Sequence, residues 1–143
     1  MKKYNLYLEI DKEFKYNDTI MKATDLLDVL RNDLKLGIES EEVLILICLN
    51  TKNKIIGVFE VSRGSLNYSA TSPREIFKRA ITCNASSIIL AHNHPSGDAN
   101  PSENDNNVTF KIKEISKIFD IPLLDHIIVT QNNFYSYNDA RAI

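Results

Sequence analysis

No stretch of this 143-residue chain approaches the length of apolar sequence that crosses a bilayer, and the longest unbroken run, Val43 to Leu49, is a third of it. The first residues, Met1-Lys2-Lys3-Tyr4-Asn5, lead into charged sequence without the apolar centre of a secretion signal. These absences predict a cytoplasmic protein with no membrane partner. Neither sign of charge is in excess. Seventeen Lys and Arg against 19 Asp and Glu give a formal charge of -2, which supplies no general attraction to nucleic acid or anionic lipid. Cysteine is scarce, and Cys48 and Cys83 lie in or beside apolar sequence without Cys-x-x-Cys spacing. Buried reduced thiols are expected, not a disulfide or ligand pair. Repeats, low-complexity tracts and linkers are also missing, so the chain reads as one domain over residues 1–143, large enough to bury a core.

What is there alternates between two periodicities. Residues 4–10 partly alternate and predict an edge strand or an arm. From Thr19, Ile20, Ala23, Leu26, Leu27, Leu30 and Leu34 follow helical spacing, with Gly37 as the stop. Residues 1–38 thus form an N-terminal strand and helix extension, and 39–143 the core. Val43–Leu49 predicts a central strand buried on both faces. Asn50 to Asn53 turn the chain into a returning strand over Lys54–Val61. Gly64 and Asn67 break the next segment, which is read as a further piece of the sheet. Ser72, Pro73 and Glu75 predict a capped helix start with a capping box, presenting Ile76, Phe77, Ala80 and Ile81 to the core. Ser87–Ala91 is a strand, Ser102 opens a second helix with Val108, Ile112, Ile115 and Phe119 on one face, and Pro122 follows it. His126–Thr130 and Phe134–Tyr137 are the last strands. Strands alternating with helices predict an α/β sandwich with a mixed sheet.

The chemistry concentrates after Ala91. His92 and His94 stand one residue apart at a strand end, so an extended backbone points both rings to the same side. Pro95, Gly97 and Pro101 bend the connection toward the helix that Ser102 caps, with Asp105 at its third position. A carboxylate there is favoured by the free N–H groups and positive end of the helix. Two imidazoles and one carboxylate suit a borderline ion such as zinc and leave a coordination position open. Ser-x-x-Asp alone is also the pattern of an ordinary capping box. Asp98, three residues after His94, competes as a ligand but better suits bonding to backbone amides within its own loop. His126, at a strand entry, reads as structural or as a support for a ligand.

His92-Asn93-His94-Pro95-Ser96-Gly97-Asp98 followed by Pro101-Ser102-x-x-Asp105 resembles the JAMM metal motif as carried by bacterial RadC-like proteins of the JAB/MPN superfamily. The likeness runs over roughly residues 40–138 and includes Pro73 to Ala80 and Asp125 to Val129. It implies a deaminase-like α/β/α fold with a mixed central sheet. It also implies one zinc ion per chain held by His92, His94 and Asp105, with water in the fourth position. The superfamily's glutamate, which bonds that water, precedes the first core strand. Glu41 and Glu42 stand there with Glu39 nearby, and Glu42, adjacent to the strand, is the choice. Ser102 matches the motif serine that helps to stabilise a tetrahedral oxyanion.

Such parts suit a zinc metallohydrolase of the peptidase or isopeptidase type: activated water attacks an amide carbonyl, a carboxylate carries the proton and a hydroxyl meets the oxyanion. The alternative is a DNA repair or mobile-element-associated protein acting on nucleic acid, motivated by family association alone. A third reading, a protein-contact scaffold with a structural metal, has no use for the serine and glutamates. Two nearby families are excluded. HNH nucleases are named for residues scattered across a ββα-metal fold, whereas His92-Asn93-His94 are contiguous, and nucleoside deaminases need a Pro-Cys-x-x-Cys segment that is absent. The first forty residues also lack the helix-hairpin-helix common in RadC-like proteins, which predicts a stand-alone catalytic module. Substrate specificity is expected from the loops around Arg63–Ser72 and the histidines.

Overall fold

The structure is a computed structural model that describes residues 1–64 and 72–143. Strand β1 (Val43–Leu49) forms where seven apolar residues stand in a row, and all seven are buried. It pairs antiparallel with β2 (Ile55–Arg63), through a turn in which Asn53 takes the left-handed conformation that asparagine tolerates. Its other edge pairs antiparallel with β3 (Ser87–Asn93), which runs parallel to β4 (Leu123–Val129). The short β5 (Phe134–Ser136) closes antiparallel on β4, giving a mixed sheet of order β2-β1-β3-β4-β5.

The parallel β3–β4 pair needs a crossover, and helix α2 (Glu103–Phe119) supplies it. Helix α1 (Pro73–Thr82) lies on the same face of the sheet. Strand alternation divides the core. Leu44, Leu46, Ile88 and Leu90 meet Ile76, Phe77, Val108 and Ile112 of the two helices, whereas Ile45, Ile47, Ile89 and Ala91 meet Ile20, Leu26 and Leu30. A sheet covered on both faces, with parallel and antiparallel neighbours, is the α/β arrangement expected of a JAB/MPN domain.

The N-terminal extension departs from its expected single helix. The apolar positions do face the sheet, but the backbone forms a 3-10 turn (Ala23–Leu26), a π turn (Val29–Asp33) and a second 3-10 turn (Leu36–Ile38). Arg31 reaches Thr130 O at 3.1 Å and Asn133 O at 2.9 Å, so contacts with the turn between β4 and β5 set the winding here over local propensity. The stop is Lys35, at φ 54, and not Gly37. A side chain at Gly37 would put its Cβ 3.2 Å from Thr130 O, so close backbone approach explains that glycine. Residues 4–10 enter no strand and are exposed; they are an arm.

Smaller differences have local causes. Ser72 makes no side-chain cap bond, and the Glu75 carboxylate that would complete a capping box pairs with Lys78 and Arg79. Ile81 is 53% exposed and leaves the core to Ile76, Phe77 and Ala80. Phe119 is half exposed yet stacks on Phe77, with 4.8 Å between ring centres. β3 runs on through His92 and Asn93 because both pair with β4. β4 starts at Leu123, three residues before the expected His126, because Pro122 O already accepts from Ile88 N. Cys48 is buried, Cys83 half-buried, and both are free thiols. Among the described residues no helix is long and apolar enough to cross a membrane. The expected continuation of the sheet after Gly64 and most of the Arg63–Ser72 specificity loop fall on residues 65–71, outside the described residues.

Candidate metal centre

The sheet carries β3 up to the N-terminus of α2, and the bend between them brings the ends together. His92 continues the alternation of Ile88 and Leu90, so its ring lies on the α1/α2 face. After Asn93 the chain leaves the strand, and a tight turn follows in which Gly97 N donates to His94 O and Gly97 sits at φ 84. Ser102 then caps α2. Its Oγ accepts from Asp105 N at 3.1 Å, while Asp105 Oδ2 accepts from Ser102 N and from Ser102 Oγ, both at 2.7 Å. The capping box is therefore real, and it aims the carboxylate. His92 Nε2 lies 3.2 Å from Asp105 Oδ1, His94 Nε2 lies 3.3 Å from Asp105 Oδ2, and the two imidazole nitrogens are 3.0 Å apart. The ligating atoms of His92, His94 and Asp105 lie within 4.8 Å of one another, so the three can hold one metal ion.

Electrostatics match that use. Burial pushes the Asp105 carboxyl up, but hydrogen bonds from His92, His94 and Ser102 outweigh it and hold the group well below the usual carboxylate range. It stays anionic although it is 4% exposed. His94 is held above its ordinary value, first by its hydrogen bond to Asp105. Burial opposes this, while Asp98 O and the charges of Asp105 and Glu42 add to it. His94 Nδ1 donates to Asp98 O at 2.7 Å, which leaves Nε2 facing the centre.

The three glutamates before β1 separate in space. Glu39 is bound to Arg63, with Nη1 to Oε2 at 2.9 Å, and that guanidinium lowers its pKa. Glu41 is exposed. Glu42 is partly buried, and its charge acts on His94. What holds this segment is Asn93, between the two histidines. Strand alternation turns it to the opposite face, where its Oδ1 accepts from Val43 N at 2.8 Å and its Nδ2 donates to Glu41 O at 2.9 Å and Glu39 O at 3.3 Å. Asn93→Ala strands the buried Val43 N–H. It is expected to cost about 1–3 kcal/mol of stability in denaturant unfolding of the metal-free protein.

Other side chains sort themselves by partner. The Asp98 carboxylate turns to Asn100, accepting from its backbone N at 3.0 Å and its Nδ2 at 2.8 Å, away from the three converging groups. His126 lies behind them. Its Nε2 is 2.8 Å from His92 Nδ1 and its Nδ1 is 2.5 Å from Thr109 Oγ1, and its ring stacks on Tyr137. Burial, followed by the neighbouring charge of His92, pushes His126 well below its ordinary value. Asn93 and Thr109 escape a motif reading. Asn93 is nonetheless the middle of His-x-His on a strand with two buried faces, and Thr109 follows Asp105 by four residues on one helix face.

Known proteins extend the likeness. A sequence model of the RadC-like JAB domain matches residues 20–142. A UPF0758 protein of Clostridium botulinum strain Eklund 17B is 43% identical over 142 residues, which is 99% of this chain and 59% of the relative. A UPF0758 protein of Clostridium beijerinckii is 51% identical over 104 residues, 73% of this chain and 45% of the relative. One from Clostridium perfringens is 44% identical over 135 residues, again 59% of its length. The chain therefore spans about half the length of these relatives. Because the matched region takes in both the sheet and the converging histidines and aspartate, this chain belongs to the RadC-like JAB domain family.

Proposed function

We propose that this domain is a zinc-dependent hydrolase that cleaves amide or isopeptide bonds, with His92, His94 and Asp105 as ligands, Glu42 as proton carrier and Ser102 as oxyanion donor. The observation that carries the reading is the spacing of the ligand atoms. Neighbouring donors about 2.0–2.1 Å from one tetrahedral zinc stand roughly 3.3 Å apart. Here the two imidazole nitrogens are 3.0 Å apart, and each faces a different oxygen of the Asp105 carboxylate, His92 Nε2 at 3.2 Å from Oδ1 and His94 Nε2 at 3.3 Å from Oδ2. Two imidazoles and one anionic oxygen also make a borderline donor set that leaves a position for a small molecule.

Zinc in this position supplies a Lewis acid that polarises a carbonyl and lowers the pKa of water toward neutrality. The remaining steps belong to the chain. Glu42, at the start of β1 and within electrostatic reach of His94, takes a proton from the attacking water and returns it to the leaving amine. Ser102 is exposed at the head of α2, and its hydroxyl turns from Asp105 Oδ2 to donate to the oxygen that gains charge. Asp105 keeps its backbone bond from Ser102 N, so the carboxylate holds its place when the hydroxyl turns. The cytoplasm remains the expected compartment.

Purified protein is expected to bind about one zinc per chain, measured by elemental analysis after dialysis. Hydrolysis of a panel of peptide and lysine-isopeptide substrates should stop with a chelator and return with zinc. Zinc-supplemented protein that holds no transition metal would sink the reading. Zinc-dependent cleavage of DNA with none of peptide or isopeptide would move the substrate class to nucleic acid.

A further inference from the structure

We propose that His126 and Thr109 are positioning residues that lock His92 in the one tautomer able to bind a metal through Nε2, by a hydrogen-bond chain ending on the backbone of the third ligand. The inference rests on the metal-centre reading above and adds to it the residues that prepare the site.

The chain has one consistent direction. An imidazole that gives Nε2 to a metal carries its proton on Nδ1, and His92 Nδ1 faces His126 Nε2 at 2.8 Å. Two N–H groups cannot share that contact, so His126 Nε2 is the acceptor and its proton sits on Nδ1. That proton goes to Thr109 Oγ1 at 2.5 Å. The Thr109 hydroxyl, holding a single proton, donates to Asp105 O at 2.6 Å. Reversing any link leaves two donors or two acceptors facing each other in a site where His92, His126 and Thr109 are each at most 1% exposed. The terminal acceptor matters because a backbone carbonyl can only accept. It fixes the polarity of every bond upstream, back to His92.

The architecture holds the pieces without involving substrate. His126 lies on β4 beside β3, stacked on Tyr137 with 5.4 Å between ring centres and 13° between planes. The Tyr137 hydroxyl is anchored on Asn106 Oδ1 at 2.7 Å. Thr109 stands one helical turn beyond Asp105, so α2 presents a ligand and the end of the chain on the same face.

The test needs no substrate. Thr109→Val keeps shape and removes the acceptor, while Thr109→Ser restores it. Zinc affinity, read by competition with a chromophoric chelator, should fall roughly 10- to 100-fold in Thr109→Val and stay within about threefold of wild type in Thr109→Ser. His126→Phe, which keeps a ring over Tyr137, should lose at least as much as Thr109→Val. Far-UV circular dichroism identifies the folded variants. If Thr109→Val does not fold, the nitrogen-15 spectrum of histidine-labelled, metal-free wild type decides. The expected result is a protonated Nδ1 and an unprotonated Nε2 on His126. Wild-type affinity in folded Thr109→Val, or a protonated Nε2 on His126, overturns the proposal. A wild type that binds no zinc defeats the hydrolase reading instead, and the metal-free spectrum still reports on the chain.

Discussion

Glu42→Gln is expected to keep zinc at one per chain and to lose at least about 100-fold in the rate of substrate hydrolysis, the usual scale for removing a general base. The substitution preserves size and removes both the negative charge that acts on His94 and the capacity to carry a proton. Metal content should not move, because the atoms that could hold a metal are those of His92, His94 and Asp105. The neighbouring glutamates are engaged or turned elsewhere. Glu39 is committed to Arg63, and Glu41 lies exposed while its backbone carbonyl is held by Asn93. Glu39→Gln and Glu41→Gln should therefore stay within a few-fold of wild type. Elemental analysis with steady-state rates on the same preparations checks all three. Loss of activity in Glu41→Gln or Glu39→Gln with full activity in Glu42→Gln would move the base by a residue or a turn. Full activity in all three would end the mechanism.

The parts of this protein that the sequence reveals are those where one local rule acts alone. Val43–Leu49 is a central strand because seven apolar residues admit no solvent-facing side. The His92, His94 and Asp105 meeting point is legible because strand alternation and a helix cap each fix a direction over three or four residues. Legibility fails where two parts of the chain decide together. Helical spacing from Ile20 to Leu34 places the right residues on the sheet, yet the winding follows Arg31 and its grip on Thr130 and Asn133, about a hundred residues away. Ser72 and Glu75 carry the letters of a capping box, and Lys78 and Arg79 take the glutamate. The same limit applies within the site. Asn93 looks like a spacer between two ligands, and only the pairing of β3 with β1 turns it into the clamp on the Glu39–Val43 segment. His126 reads as a supporting histidine, but its partner Thr109 has no motif to announce it.

Asp105→Asn separates the two duties of one carboxylate, and it should lose zinc while keeping its helix. In the cap, Asp105 Oδ2 accepts from Ser102 N, and an asparagine carbonyl can do the same. At the centre, the group must be an anion that faces two imidazoles, and a neutral amide cannot replace it. Zinc affinity is therefore expected to fall by more than roughly 100-fold, beyond the scale of losing a supporting residue. Hydrolysis should fall with it. Helical content by circular dichroism should match wild type, while metal-free stability near neutral pH should fall, because the hydrogen bonds to the carboxylate outweigh the cost of burying it. The metal-free protein already holds the Asp105 carboxylate against His94, whose pKa it raises, and Asn removes that attraction together with the smaller cost of a buried charge. His92→Ala provides the comparison: it leaves the cap untouched and should lose zinc and hydrolysis alike. If Asp105→Asn kept wild-type zinc affinity, the carboxylate would be a cap alone, and the third ligand would have to come from elsewhere.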